Sequence, residues 1–251
     1  MRVIIICAGK EERWDKTISE RKHFVVIEGE RLIDRTVRLV NAIMPNAEVF
    51  VVGLDSRYEI EGSSLYIPEL NYEANADADK FLSSKELWSK EDRTVVLYGD
   101  VYFSMTAMSE ILTNEEFSWV LFGRAFGSVL TGKMYGECFA QSFMPEMHEL
   151  HEQKLHEIAQ MFKEGRIARC GGWEHYQMMV ADAVSSSVVL NGNFINIDDF
   201  TEDFDTAEDF NNWLKGRKRL VASTVLINTA KQPNIVEKVY EEAVKNGTIH
   251  D

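Results

Sequence analysis

Ile4, Ile5, Ile6 and Cys7 form a run that only a strand covered on both faces can accommodate, and the chain passes from it directly into Ala8-Gly9. A buried strand ending on two small residues leaves backbone N–H groups open at its carboxyl end, where an anion can approach closely. Arg13 follows within the same turn, and Lys22 precedes a second apolar run, Phe24 to Ile27. Those two cations supply the countercharge that a polyphosphate at the turn requires.

Further apolar runs suited to buried strands recur, so that the set is 2–7, 24–27, 48–54, 94–98 and 118–123. Between them lies helical spacing. Ile33, Val37, Val40 and Ile43 share one face of 31–43, which stops before Pro45. Phe81, Leu82 and Leu87 mark a helix near 77–88, and Met105, Met108, Ile111 and Leu112 mark a third. This alternation predicts an α/β fold, a Rossmann-like, mostly parallel mixed sheet with helices on both faces. Ligands on such sheets bind at the carboxyl ends of the strands, where the Gly9 turn and the Gly99-Asp100 turn both fall.

Past residue 125 the pattern changes. A strand is expected over 132–143, a long polar helix from about 146 to 164, and an aromatic segment at 173–184. A strand at 193–197, a helix at 206–215, the apolar run Val221 to Ile227 and a helix at 233–246 complete the chain. With no repeat or linker, residues 1–251 read as a single domain with a substrate-facing lobe at about 125–190.

Charge narrows the partners. Forty-one acidic against 27 basic side chains give a net charge of −14, which repels polyanions and argues against bulk nucleic acid. A small phosphorylated ligand held by a few local cations remains compatible with it. Cys7, Cys138 and Cys170 are odd in number and widely spaced, the usage of buried free thiols in a reducing cytoplasm. No apolar run approaches the length of a membrane span or a signal sequence. The expectation is a cytoplasmic protein.

Two acidic positions stand out. Val95 to Tyr98 must be buried, so Asp100 sits at the mouth of the sheet, with Gly99 easing the turn before it. Asp100 is therefore either a ligand for a hard cation touching phosphate oxygens or a turn aspartate bonded to its own backbone. Thr206 and Asp209 have the spacing of a capping box for a helix beginning there. That leaves Asp205, just before the helix, as the free carboxylate and the candidate for a second cation ligand.

Ala8-Gly9…Arg13, Lys22, Gly29 with Leu32-Ile33, then Leu97-Tyr98-Gly99-Asp100, then Phe204-Asp205-Thr206-Ala207-Glu208-Asp209 together resemble the nucleotidyltransferase superfamily of nucleotide-sugar pyrophosphorylases and cytidylyltransferases. The resemblance covers roughly 1–110 and 190–215. It departs from the family at Glu11, which replaces the second glycine, and at Arg21, which replaces the proline before the lysine. It implies a nucleotide-diphospho-sugar transferase (GT-A-type) fold. Ala8, Gly9, Lys10 and Gly99 would then meet the nucleotide, with Asn75 in the base-and-ribose region. Arg13 and Lys22 would hold phosphates and act in catalysis, and Asp100 and Asp205 would bind Mg²⁺. The implied activity is transfer of a nucleoside monophosphate from an NTP to a small phosphorylated acceptor such as a sugar, alditol or amino-alcohol phosphate, releasing pyrophosphate. A glycosyltransferase of related fold and a nucleotide-binding regulator without catalysis are the alternatives. The first usually carries Asp-x-Asp, whereas Val101 and Tyr102 follow Asp100 here.

Other clusters read as structural. His148, His151 and His156 share one expected helix, but His151 to His156 is one residue too long for a His-Glu-x-x-His zinc motif. Lys215, Arg217, Lys218 and Arg219 are expected at a helix carboxyl end. Trp173, His175 and Tyr176 read as core or lobe interface, with an acceptor pocket as the alternative.

Overall fold

The computed structural model describes residues 1–9, 13–69 and 77–230. In chain order the first half contains β1 (Arg2–Ile6), β2 (Val26–Ile27), β3 (Glu30–Arg31), α1 (Leu32–Ile43), β4 (Glu48–Val52), β5 (Ser64–Tyr66), α2 (Asp77–Leu82) and β6 (Thr94–Tyr98). The second contains β7 (Val101–Tyr102), α3 (Met105–Thr113), β8 (Trp119–Arg124), β9 (Glu137–Phe143), α4 (His148–Lys163), α5 (Gly172–Ala181), β10 (Phe194–Asn196), β11 (Glu202–Asp203) and α6 (Ala207–Ala230).

Seven strands form one sheet in the order β10-β8-β9-β6-β1-β4-β5. β1 pairs in parallel with β4 and β6, placing Ile4 beside Phe50 on one side and Val96 on the other. β9 alone runs against its neighbours β6 and β8. The isoleucine run is explained by strand alternation: Val3, Ile5 and Cys7 enter one core while Ile4, Ile6 and Ala8 enter the other. The first core lies under α1, which buries Ile33, Val37 and Val40, and under α3 through Met108 and Ile111. The second is covered by Phe81 of α2, Leu155 and Ile158 of α4, and Tyr176 and Met178 of α5. Helices thus cover both faces, and the α/β architecture is the one expected.

Several local expectations are corrected. Residues 24–27 do not enter the large sheet. A 3-10 turn at Lys22–Phe24 leads into the small β2–β3 hairpin, whose Glu28-Gly29 turn takes φ of 56° and 83°. The strand expected over 132–143 begins only at Glu137, and helix α2 stops at Leu82. Helix α6 continues through the apolar run at 221–227, so Lys215, Arg217, Lys218 and Arg219 lie mid-helix and not at its carboxyl end. Arg217 instead packs over the Tyr102 and Trp213 rings and pairs with Glu28 at 2.7 Å. The helix expected at 233–246 lies outside the described residues. No helix among the described residues is long and apolar enough to cross a membrane.

The histidines of α4 have divergent surroundings. His156 faces solvent beside Glu152, whereas His151 is buried, accepting a hydrogen bond from Trp119 Nε1 at 3.2 Å and meeting the His175 ring edge-on at 4.6 Å. Burial pushes the His175 imidazolium down to about 3, and it lowers His151 as well, helped by His175 and His148. Both rings are therefore neutral in the folded chain. The unfolded chain takes up those protons near the ordinary histidine value of about 6.5, so folding stability falls as pH drops below it. Each ring contributes a slope of about 1.4 kcal/mol per pH unit in that range. His175→Leu is expected to flatten this acid-side loss between pH 6.5 and 4.5, measured by urea unfolding at each pH; an unchanged slope would contradict the assignment.

Candidate functional site

Strand alternation builds the acidic side of the site. In the extended stretch 202–205, Glu202 and Phe204 are fully buried, while Asp203 and Asp205 project to the opposite side. Phe204 enters a small aromatic core with Trp14, Tyr102, Phe210 and Trp213. β11 pairs antiparallel with β7, placing Asp203 opposite Val101, and Phe204 N–H donates to the Asp100 carbonyl at 3.1 Å. This pairing carries Asp100, at the end of β6, up to the acidic stretch. Asp100, Asp203 and Asp205 each present a carboxylate oxygen, the three atoms lying within 4.8 Å of one another.

Glu202 is held from behind. Arg124, at the end of β8, donates to both its carboxylate oxygens at 2.7 and 3.1 Å, and Ser128 adds a hydrogen bond. A buried charge pair with its remaining valences hydrogen-bonded is costly to break, about 3–5 kcal/mol when one partner is lost. It fixes the strand on which the aspartates sit. The Thr206–Asp209 capping box forms as expected: Asp209 N–H donates to Thr206 Oγ1 at 3.1 Å, and Thr206 N–H donates to Asp209 Oδ2 at 3.0 Å.

The cations approach from the amino-terminal turn. Lys22 hydrogen-bonds Asp100 and lies 3.8 Å from Asp205, while Arg13 pairs with Asp205 at 2.7 Å. Burial works against the Lys22 ammonium, but Asp100, Asp203 and Asp205 outweigh it and raise its pKa. Burial likewise opposes the Asp100 carboxylate, yet Lys22 and His23 bring it down to about 2. Asp203 moves the other way, raised by burial and by Glu137 and Asp205 against the pull of Lys133.

These groups line a cleft of about 210 Å³ at the carboxyl ends of β1 and β6. Ala8, Gly9, Arg13, Lys22, Asp100 and Asp205, all expected from the sequence, border it together. Gly99 abuts it from behind, and Lys10 and Asn75 lie outside the described residues. Sequence reasoning missed Asp203, Lys80, Glu137, Arg169 and Lys133. Asp203 could have been found from its two-residue spacing to Asp205 across a phenylalanine. Trp173 borders the cleft, whereas His175 and Tyr176 are core.

Gly99 is required for the reason expected, the room that a Cβ would take at the turn. Its φ is not in the left-handed region, but a Cβ there would overlap Cys7 Sγ and come within 2.8 Å of the Ile6 carbonyl oxygen. Glycine serves close approach of β6 to β1 and not an unusual turn.

Three carboxylates in this arrangement suit a hard divalent cation, whose oxygen ligands at about 2.1 Å stand roughly 3–4 Å from one another. The fit requires only a small closure of the cluster. The cationic pair opposite offers a place for phosphate oxygens.

No protein-family model and no curated protein matches the sequence. Solved structures match it in three dimensions. 4-diphosphocytidyl-2C-methyl-D-erythritol synthase from Anaerococcus prevotii superposes with a TM-score of 0.51 over 87% of this chain and 95% of its own, at 11% identity. Rv0371c from Mycobacterium tuberculosis gives 0.53 over 85% and 96%, at 12% identity. The chain has the nucleotidyltransferase fold. The bifunctional IspDF from Campylobacter jejuni gives 0.52 over 84% of this chain and 53% of its own, at 10% identity. The family resemblance seen in four ordered motifs is thus matched by the architecture, and the nucleotidyltransferase fold places its cleft where those motifs meet.

Gly99→Ala is expected to cost about 1–3 kcal/mol through overpacking at Cys7 and Ile6. A urea midpoint equal to that of the parent chain would contradict this close approach.

Proposed function

We propose that the chain is a Mg²⁺-dependent nucleotidyltransferase that joins a nucleoside monophosphate, taken from an NTP, to a small phosphorylated acceptor. The convergence of Asp100 and Asp205 opposite Arg13 and Lys22 carries this reading. An acceptor phosphate oxygen would bond to the α-phosphorus as the bond to the β-phosphate bridging oxygen breaks, and pyrophosphate would leave.

The chain's own groups would work by alignment and charge neutralisation, since phosphoryl transfer asks for little covalent chemistry from the protein. The Ala8-Gly9 backbone, which borders the cleft with little side chain of its own, would admit the phosphates closely. Arg13, two-thirds exposed, and Lys22 would turn from the carboxylates to the β- and γ-phosphates and stabilise the charge that accumulates on leaving pyrophosphate. Asp100 and Asp205 would hold Mg²⁺, which when bound would supply neutralisation of phosphate charge. Glu137, Arg169 and Trp173, from the 125–190 segment, border the same cleft, which supports that segment as the acceptor side. The burial of Cys7, Cys138 and Cys170 supports a reducing cytoplasm as the setting.

Asp100→Asn and Asp205→Asn are each expected to lower pyrophosphate release by a factor of about 10³ or more, given the usual worth of a group that stabilises transition-state charge. The assay is pyrophosphate formation over a panel of NTPs and phosphorylated acceptors, with circular dichroism reporting the fold. Full activity in either variant would rule out its assignment. Release of a nucleoside diphosphate from a sugar nucleotide would indicate the glycosyltransferase alternative. Tight NTP binding without product would indicate a regulator.

A further inference from the structure

Lys133 has no part in the mechanism above, yet it is the most completely bonded cation at the site. It lies in the loop before β9 with its side chain almost wholly buried, 4% exposed. Its ammonium donates to Asp203 Oδ1 at 2.6 Å, Glu137 Oε1 at 2.9 Å and the Asp203 carbonyl at 3.2 Å, which uses all three N–H groups. Asp209 Oδ2 stands 3.7 Å away. The loop that carries it is closed by hydrogen bonds, Ser128 N–H to the Lys133 carbonyl at 2.8 Å and Gly132 N–H to the Ser128 carbonyl at 2.8 Å. Leu130 of the same loop is anchored in the aromatic core.

Such an ammonium cannot leave its carboxylates to meet a ligand without leaving them buried and unpaired. Arg13 differs, being mostly exposed and bonded to one carboxylate. The two kinds of cation therefore have separate duties. Among the described residues Asp100, Asp203 and Asp205 are close enough together to share one ion, while Glu137 and Asp209 stand beside the Lys133 ammonium.

We propose that Lys133 is a resident cation in the place of a second metal: it takes up Asp203, Glu137 and Asp209, so that the cleft binds one divalent ion, on Asp100 and Asp205. Lys133 is a positioning residue. It holds Asp203 beside the metal ligands and keeps a second ion off that carboxylate. The inference rests on the metal reading given under the proposed function.

The test is the number of Mn²⁺ ions bound per chain, counted by electron paramagnetic resonance on the nucleotide-free protein, so that no ion carried by an NTP is included. The parent chain is expected to bind one ion, lost in Asp100→Asn. Lys133→Met, which removes the charge and keeps the length, is expected to bind two, the second lost again when Asp203→Asn is added. Lys133→Arg, which keeps the charge, is expected to bind one. Two ions in the parent chain, one of them lost in Asp203→Asn, would overturn the proposal without recourse to any Lys133 variant, should Lys133→Met fail to fold. One ion in both the parent chain and a folded Lys133→Met would also overturn it, leaving the metal reading intact. No ion in either protein would instead remove the metal reading and this inference with it.

Discussion

Burial of Phe204 is the constraint on which the site depends. Its ring is withdrawn completely from solvent among Trp14, Tyr102, Phe210 and Trp213. Once that ring is committed inward, an extended backbone has no choice about its neighbours, because consecutive side chains leave a strand on opposite sides. Asp203 and Asp205 must both face the cleft. Burying a phenylalanine contributes about 1.5–3 kcal/mol, comparable to the opposition such close carboxylates generate near a surface. The apolar contact is what holds the like charges together.

The same small core reaches the other site segments through residues adjacent to them in sequence. Trp14 follows Arg13, Val25 and Ile27 lie just beyond Lys22, Tyr102 lies two residues from Asp100, and Leu130 precedes Lys133. Each charged group is thus tied to an apolar anchor no more than three residues away, and the anchors meet in one place. A chain of net charge −14 brings cations and carboxylates together at one cleft by this local means, with no global positive field. The cleft keeps Arg13, Lys22, Lys80 and Arg169 at its border beside Asp100, Glu137, Asp203 and Asp205.

The fold was legible because its signals are long and repeated. Five isoleucine, valine and leucine runs alternate with helical faces, and β1, β4, β6 and β8 followed from them directly. Two-residue strands carry no such signal. β7 and β11 exist because Glu202 meets Arg124 and Phe204 meets the aromatic core, both contacts across 70 residues or more of sequence. That is why Asp205 was picked out from its neighbouring capping box while Asp203, whose one sequence signal is its spacing to Asp205, was missed. Lys133 was hidden differently: Gly132 to Phe143 alternates like a strand, but its first five residues form a loop whose ammonium is fixed by acids from β9, β11 and α6. Gly99 was chosen for the right cause, a Cβ clash, but the neighbour that makes it, Cys7 some 90 residues earlier, carries no local signal.

The charged groups in the cleft also explain how it remains folded with nothing bound. Lys22 is hydrogen-bonded to Asp100 and Arg13 to Asp205, so each cation intended for phosphate in the proposed reading is neutralised by a carboxylate intended for metal. Arrival of a divalent ion with a polyphosphate would exchange partners on both sides: carboxylates to metal, cations to phosphate. Such an exchange alters the local charge little, because the ligand brings both signs together. Either component alone would compensate only one of the two sets of groups. Tighter binding of each in the presence of the other is therefore a consequence of the Lys22–Asp100 and Arg13–Asp205 contacts, and it asks for no conformational change of the sheet.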